Sequence, residues 1–133
     1  ETPVSHIQIQ TLASIQAQSL VTRLATQETI KIPMTVVPFS RLTYYGLGGT
    51  QLLGIVAANL SQEAGSVQAK WEQGGIYQTA WEGEIPAFGK RLVVLPSPDP
   101  GTGLFLEGEV PIDAVVIGFT NSQMKLLSPL SKR

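Results

Sequence analysis

The chain has 133 residues, the usual size of one domain with a single hydrophobic core, and 43% of them are hydrophobic. Charged residues make up only 14% and the formal net charge is −1, so we expect no nucleic-acid partner, because the basic surface that such a partner requires is missing. There is no cysteine, which excludes disulfides, thiolate zinc sites and cysteine nucleophiles.

Low charge also predicts that part of the surface is covered by an assembly. A domain with so few charged side chains exposes apolar surface, and we expect a homotrimer whose contacts bury aliphatic and aromatic strand residues. We expect no membrane partner, because the longest apolar run, Leu52–Ala58, is far too short to span a bilayer and is interrupted by Gly54.

Residues 1–28 differ in composition from the rest of the chain. They contain no glycine, are rich in Gln, Ser and Thr, and have apolar residues near helical spacing that allow one short helix, namely Leu12, Ile15, Leu20, Val21 and Leu24. We interpret this segment as an extended N-terminal arm that binds another chain by strand addition. Pro3 keeps its start extended, and Val4, Ile7 and Ile9 are expected to fill pockets on the partner.

From Thr29 onward the pattern indicates strands. Apolar side chains alternate at Ile30, Ile32, Met34 and Val36, as in a strand with one buried face. Because proline has no backbone N–H, Pro33 and Pro38 place this strand at a sheet edge or at a bulge.

The remaining strands are short and separated by turn-forming residues. Two hairpins are predicted, 67–72 with 76–81 around Gln73-Gly74-Gly75, and 114–120 with 124–127 around Asn121-Ser122-Gln123. Short strands at 91–95 and 104–106 flank the loop SPDPGTG. The fold class is therefore predicted to be all-β, a small β-barrel or sandwich over residues 29–133. WEGEIP at 81–86 recurs as LEGEVP at 106–111, which we interpret as two similar strand-to-turn corners.

The glycine cluster Gly46-Leu47-Gly48-Gly49 raises the question of a phosphate site. A dinucleotide fingerprint requires a third glycine where Gln51 stands, and a P-loop requires a lysine that this segment lacks. The cluster is better interpreted as a reversal between strands.

No catalytic set, metal site or cofactor is predicted, and we expect no enzymatic role. The single histidine, His6, lies in the arm, away from any scaffold that fixes partners around it. Two glutamate pairs share a strand face at i, i+2 spacing and are interpreted as protection of a sheet edge, with ion binding left open: Glu82/Glu84 and Glu107/Glu109.

Three aromatic residues around the first hairpin have two interpretations. Trp71, Tyr77 and Trp81 are expected at a subunit interface, which is a common use of large aromatic side chains. Alternatively, they form a stacking platform for a sugar ring on a small ligand-binding or carbohydrate-binding β domain of a cell surface or periplasm.

The order of motifs from residue 50 to residue 130 resembles one protein family. The motifs are Gly54-Ile55-Val56-Ala57, Val67 and Ala69 followed by Gly75-Ile76-Tyr77, and Ile117-Gly118-Phe119. This pattern is similar to that of the head decoration proteins of tailed bacteriophages, the lambda head-stabilising-protein-like family. The resemblance implies a structural cement protein, a homotrimer on the outer surface of the virion whose N-terminal arm contacts the major capsid protein.

Overall fold

The computed structural model describes residues 18–23, 28–33, 39–121 and 123–133. The prediction of an all-β fold is confirmed: the described residues contain no helix, and the larger of two sheets is a curled antiparallel half-barrel. The strands are β1 (Gln18–Arg23), β2 (Glu28–Pro33), β3 (Phe39–Tyr44), β4 (Leu52–Asn59), β5 (Gly65–Gln73), β6 (Ile76–Ile85), β7 (Lys90–Pro96), β8 (Gly103–Phe119), β9 (Met124–Leu127) and β10 (Ser131–Lys132).

Strands β1 and β2 form a separate two-stranded antiparallel sheet. Residues 18–23 are thus a strand, although Leu20 and Val21 belong to the helical spacing noted in the sequence. Pairing explains the difference, because Val21 lies opposite Ile30 and each strand supplies the other with backbone hydrogen bonds. The strand predicted from residue 29 pairs with β1 rather than with the larger sheet.

The predicted arm contacts fall in a part of the chain that the structure does not describe. The residues concerned are Pro3, Val4, Ile7 and Ile9, and His6 lies in the same part of the chain. Their role therefore stays a prediction.

The long strand β8 organises the larger sheet. Its first half pairs with β3 and β5, and its second half pairs with β4 and β9. The sequence predicted two strands here, at 104–106 and 114–120, and this was wrong. Pairing with β5 ends at Gly108 and pairing with β4 begins at Ile112, so Pro111 lies where β8 changes partners and its missing N–H interrupts neither ladder.

Both predicted hairpins are present. Strands β5 and β6 are joined at Gly74 and Gly75, which have φ angles of 60° and 82°, and β8 pairs with β9 from Phe119 opposite Met124. The glycine cluster is the turn between β3 and β4, where Gly46 and Gly49 have φ angles of 72° and 84° that other residues rarely adopt.

The repeated segments flank one strand at the same register. On β5, Val67 lies opposite both Gly83 and Gly108, and Ala69 lies opposite both Trp81 and Leu106. WEGEIP does lead into a turn after Ile85, as predicted, whereas LEGEVP leads into the part of β8 where the strand changes partners. The repeated sequence therefore reflects two strands that pair with opposite edges of β5 at the same register.

One face of the curled sheet carries the hydrophobic core. Alternate residues of β3, β4, β5 and β8 point into it, as the two-residue period of a strand requires. Its fully buried large side chains include Leu42, Tyr44, Leu53, Ile55, Ile85, Leu104, Leu106 and Ile112.

Candidate functional site

The three aromatic residues singled out in the sequence do not form one platform. Trp71 and Trp81 are partly buried and pack against the core, whereas the Tyr77 side chain lies on the opposite face of the sheet and is 53% exposed. The reason is a β-bulge: Ala69 lies opposite Trp81, but Lys70 lies opposite Thr79. The extra residue reverses the alternation of side chains between Tyr77 and Trp81.

Trp71 lines an open groove of about 380 Å³. One wall is the tip of the β5–β6 hairpin, with Gln73, Ile76 and Gln78, and the other is the segment 96–99 with Thr102. Strands β6 and β7 are joined by residues 86–89 but do not pair with each other in the described part of the chain. This Trp71 groove lies at the far end of the gap between them. Trp81 is not part of it.

On the other face of the sheet, aromatic side chains surround Phe105. The Phe105 ring is only 8% exposed because Tyr45, Tyr77 and Arg41 cover it. Tyr77 and Tyr45 meet it edge-on, with centroids 5.3 Å and 6.2 Å away, and the Arg41 guanidinium lies 5.4 Å from its centroid. This Phe105 cluster ties β3, β6 and β8 together, and sequence periodicity gave no sign of it.

Two carboxylates beside the Phe105 cluster have lowered pKa values. The Tyr45 hydroxyl donates to Glu72 Oε2 at 2.6 Å and the Gly75 N–H donates to Oε1 at 2.8 Å, and these bonds hold the pKa of Glu72 below its usual 4.5. Partial burial alone raises the pKa of Glu107, but hydrogen bonds and charge from Arg41 and Lys70 outweigh burial and lower it.

The two predicted glutamate pairs are brought to one face. Glu82 and Glu107 both lie opposite Gln68, Glu84 lies opposite Ser66, and Glu109 accepts a hydrogen bond from the Ser66 N–H at 3.4 Å. Among the residues that the structure describes, no group of three His, Asp or Glu side chains is placed to hold a metal ion.

Strand β7 exposes aliphatic side chains on the face away from the core. Leu92 is 69% exposed and Val94 is 58% exposed, while Val93 between them is buried. Across the β4–β7 pair, Leu92 lies opposite Val56 and Val94 lies opposite Gly54. We call Leu52, Val56, Leu92 and Val94 the β7 patch.

Asn59 is the most buried polar side chain of the described structure, with no exposed surface. Its Nδ2 donates to the Glu63 and Ile85 carbonyls at 2.7 Å and 3.1 Å, and its Oδ1 accepts from the Ser61 N–H and hydroxyl at 2.9 Å and 2.8 Å. The sequence Asn59-Leu60-Ser61 matches a glycosylation sequon, but this amide is enclosed and fully hydrogen-bonded. Its role is therefore to hold the turn after β4 in place.

Comparison with protein families, curated proteins and solved structures finds no match for this chain. Nor does the described part of the chain contain a helix long and apolar enough to cross a membrane. The resemblance to phage head decoration proteins consequently stays a prediction.

Proposed function

We propose that this protein is a structural assembly protein that decorates the outside of a viral capsid as a homotrimer and binds the major capsid protein. The observation that supports the proposal best is the β7 patch, where Leu92 and Val94 are 69% and 58% exposed. Contiguous exposed apolar side chains on a folded domain are typical of a surface that another chain covers.

The sequence of β7 strengthens this argument. Its central residues, Leu92-Val93-Val94-Leu95, are apolar at every position, a pattern typical of a strand buried on both faces. The fold covers only the Val93 and Leu95 side, since Val93 is 9% exposed and Leu95 packs against the core. We assign this uncovered side to the trimer contact, where a second copy of the chain over Leu92 and Val94 would bury it.

The surroundings of the β7 patch also suit a protein interface. Leu52, 45% exposed, extends it onto β4, and Lys90 and Arg91 are exposed at the start of β7. An apolar centre with a charged rim is the usual anatomy of an interface between folded chains.

A cement protein acts through binding energy alone. If it binds the mature shell and not its precursor or the dissociated subunits, each bound copy stabilises the mature state by mass action. The shell then resists the pressure of packaged DNA. The proposed location on the virion surface follows from the resemblance, and the β7 patch supports it as a surface that another chain covers.

The test is to mix the protein with undecorated, expanded phage capsids and to image the particles by electron microscopy. We expect ordered density with threefold symmetry on the outer surface. Leu92→Thr/Val94→Thr, which places a β-branched residue with good strand propensity at both positions, should reduce its occupancy. Leu130→Thr is the matched control, because Leu130 is 73% exposed outside the patch. Absence of ordered density would refute the capsid role, and full occupancy by the double variant would refute the role of the patch.

A further inference from the structure

We propose that the Trp71 groove is a binding site for neutral saccharides. Trp71 provides the stacking surface, and the side chains of Gln73, Gln78 and Asp99 provide hydrogen bonds to ring hydroxyls. This inference goes beyond the assembly role and does not depend on it.

Strand register places the groove side chains next to one another. Trp71 lies directly opposite Gln78, and Gln73 lies directly opposite Ile76, so all four share one face of the β5–β6 hairpin. Trp71 packs partly against the core, which fixes the ring, and the rest of its surface lines the groove. A fixed aromatic ring flanked by two amides suits a pyranose, which has an apolar C–H face and hydroxyls around its edge.

Three polar side chains of the groove are free to bind a ligand. In the described structure, the amides of Gln73 and Gln78 and the carboxylate of Asp99 make no hydrogen bond to another protein group. By contrast, the Ser97 hydroxyl in the same wall is paired with the Thr50 hydroxyl at 2.5 Å. A sugar hydroxyl could replace water at the three free groups without breaking any bond within the protein. Because a glutamine amide both donates and accepts, it matches a hydroxyl in either role.

Charge and size narrow the ligand class. Among the described residues that line the groove, Asp99 is the one ionisable group and none is a cation, which disfavours phosphorylated or acidic ligands. The volume of about 380 Å³ lies at the small end of ligand pockets and suits one or two sugar rings. An extended peptide would require apolar pockets at alternate positions, whereas the hairpin wall alternates the apolar Trp71 and Ile76 with glutamines.

The test is an NMR titration of the ¹⁵N-labelled full chain with four disaccharides, namely cellobiose, maltose, lactose and N,N′-diacetylchitobiose. Each is added to about 20 mM, because an open groove is expected to bind with a Kd of about 1 mM. We expect at least one sugar to shift the indole signal of Trp71 and the side-chain amide signals of Gln73 and Gln78 in a saturable way. The indole of Trp81, which lies outside the groove, is the internal control and should not move.

Variants separate groove binding from other effects. Gln78→Ala and Asp99→Ala should each weaken binding about tenfold. Gln68→Ala, on the opposite face of β5, should leave it unchanged. The proposal is overturned if none of the four sugars shifts Trp71, if Trp81 shifts equally, or if the groove variants bind like the wild type. Binding of an extended peptide in the groove without any sugar would also overturn it, while trimer formation has no bearing on the result.

Discussion

At the scale of single residues, the fully buried side chain of Asn59 holds one corner of the fold together. Its amide joins the end of β4, the turn at 61–63 and the end of β6 through four hydrogen bonds. Removing a buried side chain with this many partners leaves several of them unsatisfied, and that penalty exceeds the value of the bonds themselves.

We therefore predict that Asn59→Ala lowers the free energy of unfolding by about 2–4 kcal/mol. Urea denaturation of the two proteins measures the difference. Asn121→Ala is the control, since Asn121 is exposed, and should change stability by less than about 0.5 kcal/mol. A loss of under about 1 kcal/mol for Asn59→Ala would contradict the account of this corner.

Glu72 offers a test by titration. Because the Tyr45 hydroxyl is the largest cause of its lowered pKa, Tyr45→Phe should raise the Glu72 pKa toward 4.5. A carboxylate with a lowered folded pKa stabilises the protein above its unfolded pKa, and this stabilisation is lost as pH falls through the folded value. Carboxyl ¹³C NMR measures the pKa directly. Tyr77→Phe is the control, and an unchanged Glu72 pKa in Tyr45→Phe would show that the hydrogen bond does not matter.

At the scale of elements, close packing on β6 depends on a missing side chain. A Cβ atom built at Gly83 would lie 2.6 Å from Cζ2 of Trp81, whose ring packs against the core. We predict that Gly83→Ala displaces this ring and destabilises the protein by about 1–3 kcal/mol, despite the usual preference of a strand for alanine over glycine.

Thermal unfolding and the near-ultraviolet circular dichroism of the tryptophans measure the effect of Gly83→Ala. Gly48→Ala is the matched control, because nothing lies within 4 Å of a Cβ atom at Gly48 and its φ is not positive. Equal stabilities of the two variants would mean that the Trp81 ring moves aside at no cost.

The sequence predicted those elements whose boundaries are set by local chemistry. Gly74 and Gly75 identified the β5–β6 hairpin because two consecutive positive φ angles demand such residues. The continuity of β8 through Pro111 was missed, because it depends on a change of partner strand. Such a change is set by tertiary structure and leaves no local sequence signal. The placement of Tyr77 on the face away from Trp71 and Trp81 was missed for a similar reason. The two-residue alternation of side chains along a strand, on which the prediction relied, is interrupted by a β-bulge.

The candidate surfaces were predicted less well than the elements. The four apolar residues from Leu92 to Leu95 do signal a strand covered on both faces, but the sequence does not say which face the fold leaves open. The groove needs the 96–99 segment brought against Trp71, and nothing local to either segment indicates that approach.

At the scale of the whole molecule, deletion of the N-terminal residues tests whether they bind the capsid, as proposed, or stabilise the half-barrel. They carry few large apolar side chains, so residues 1–10 should add little to the stability of the half-barrel. Deleting them should leave the melting temperature nearly unchanged and strongly weaken capsid binding. A deletion that unfolds the protein would show instead that these residues belong to the folded domain.

The central claim is that the β7 patch is covered by other copies of the chain, and its most direct test is the mass in solution. Light scattering at micromolar concentration should give about three times the 14.3 kDa mass of one chain. Leu92→Thr/Val94→Thr should shift the mass toward the monomer, and Leu130→Thr should not. A monomer mass that does not change with concentration would contradict the account.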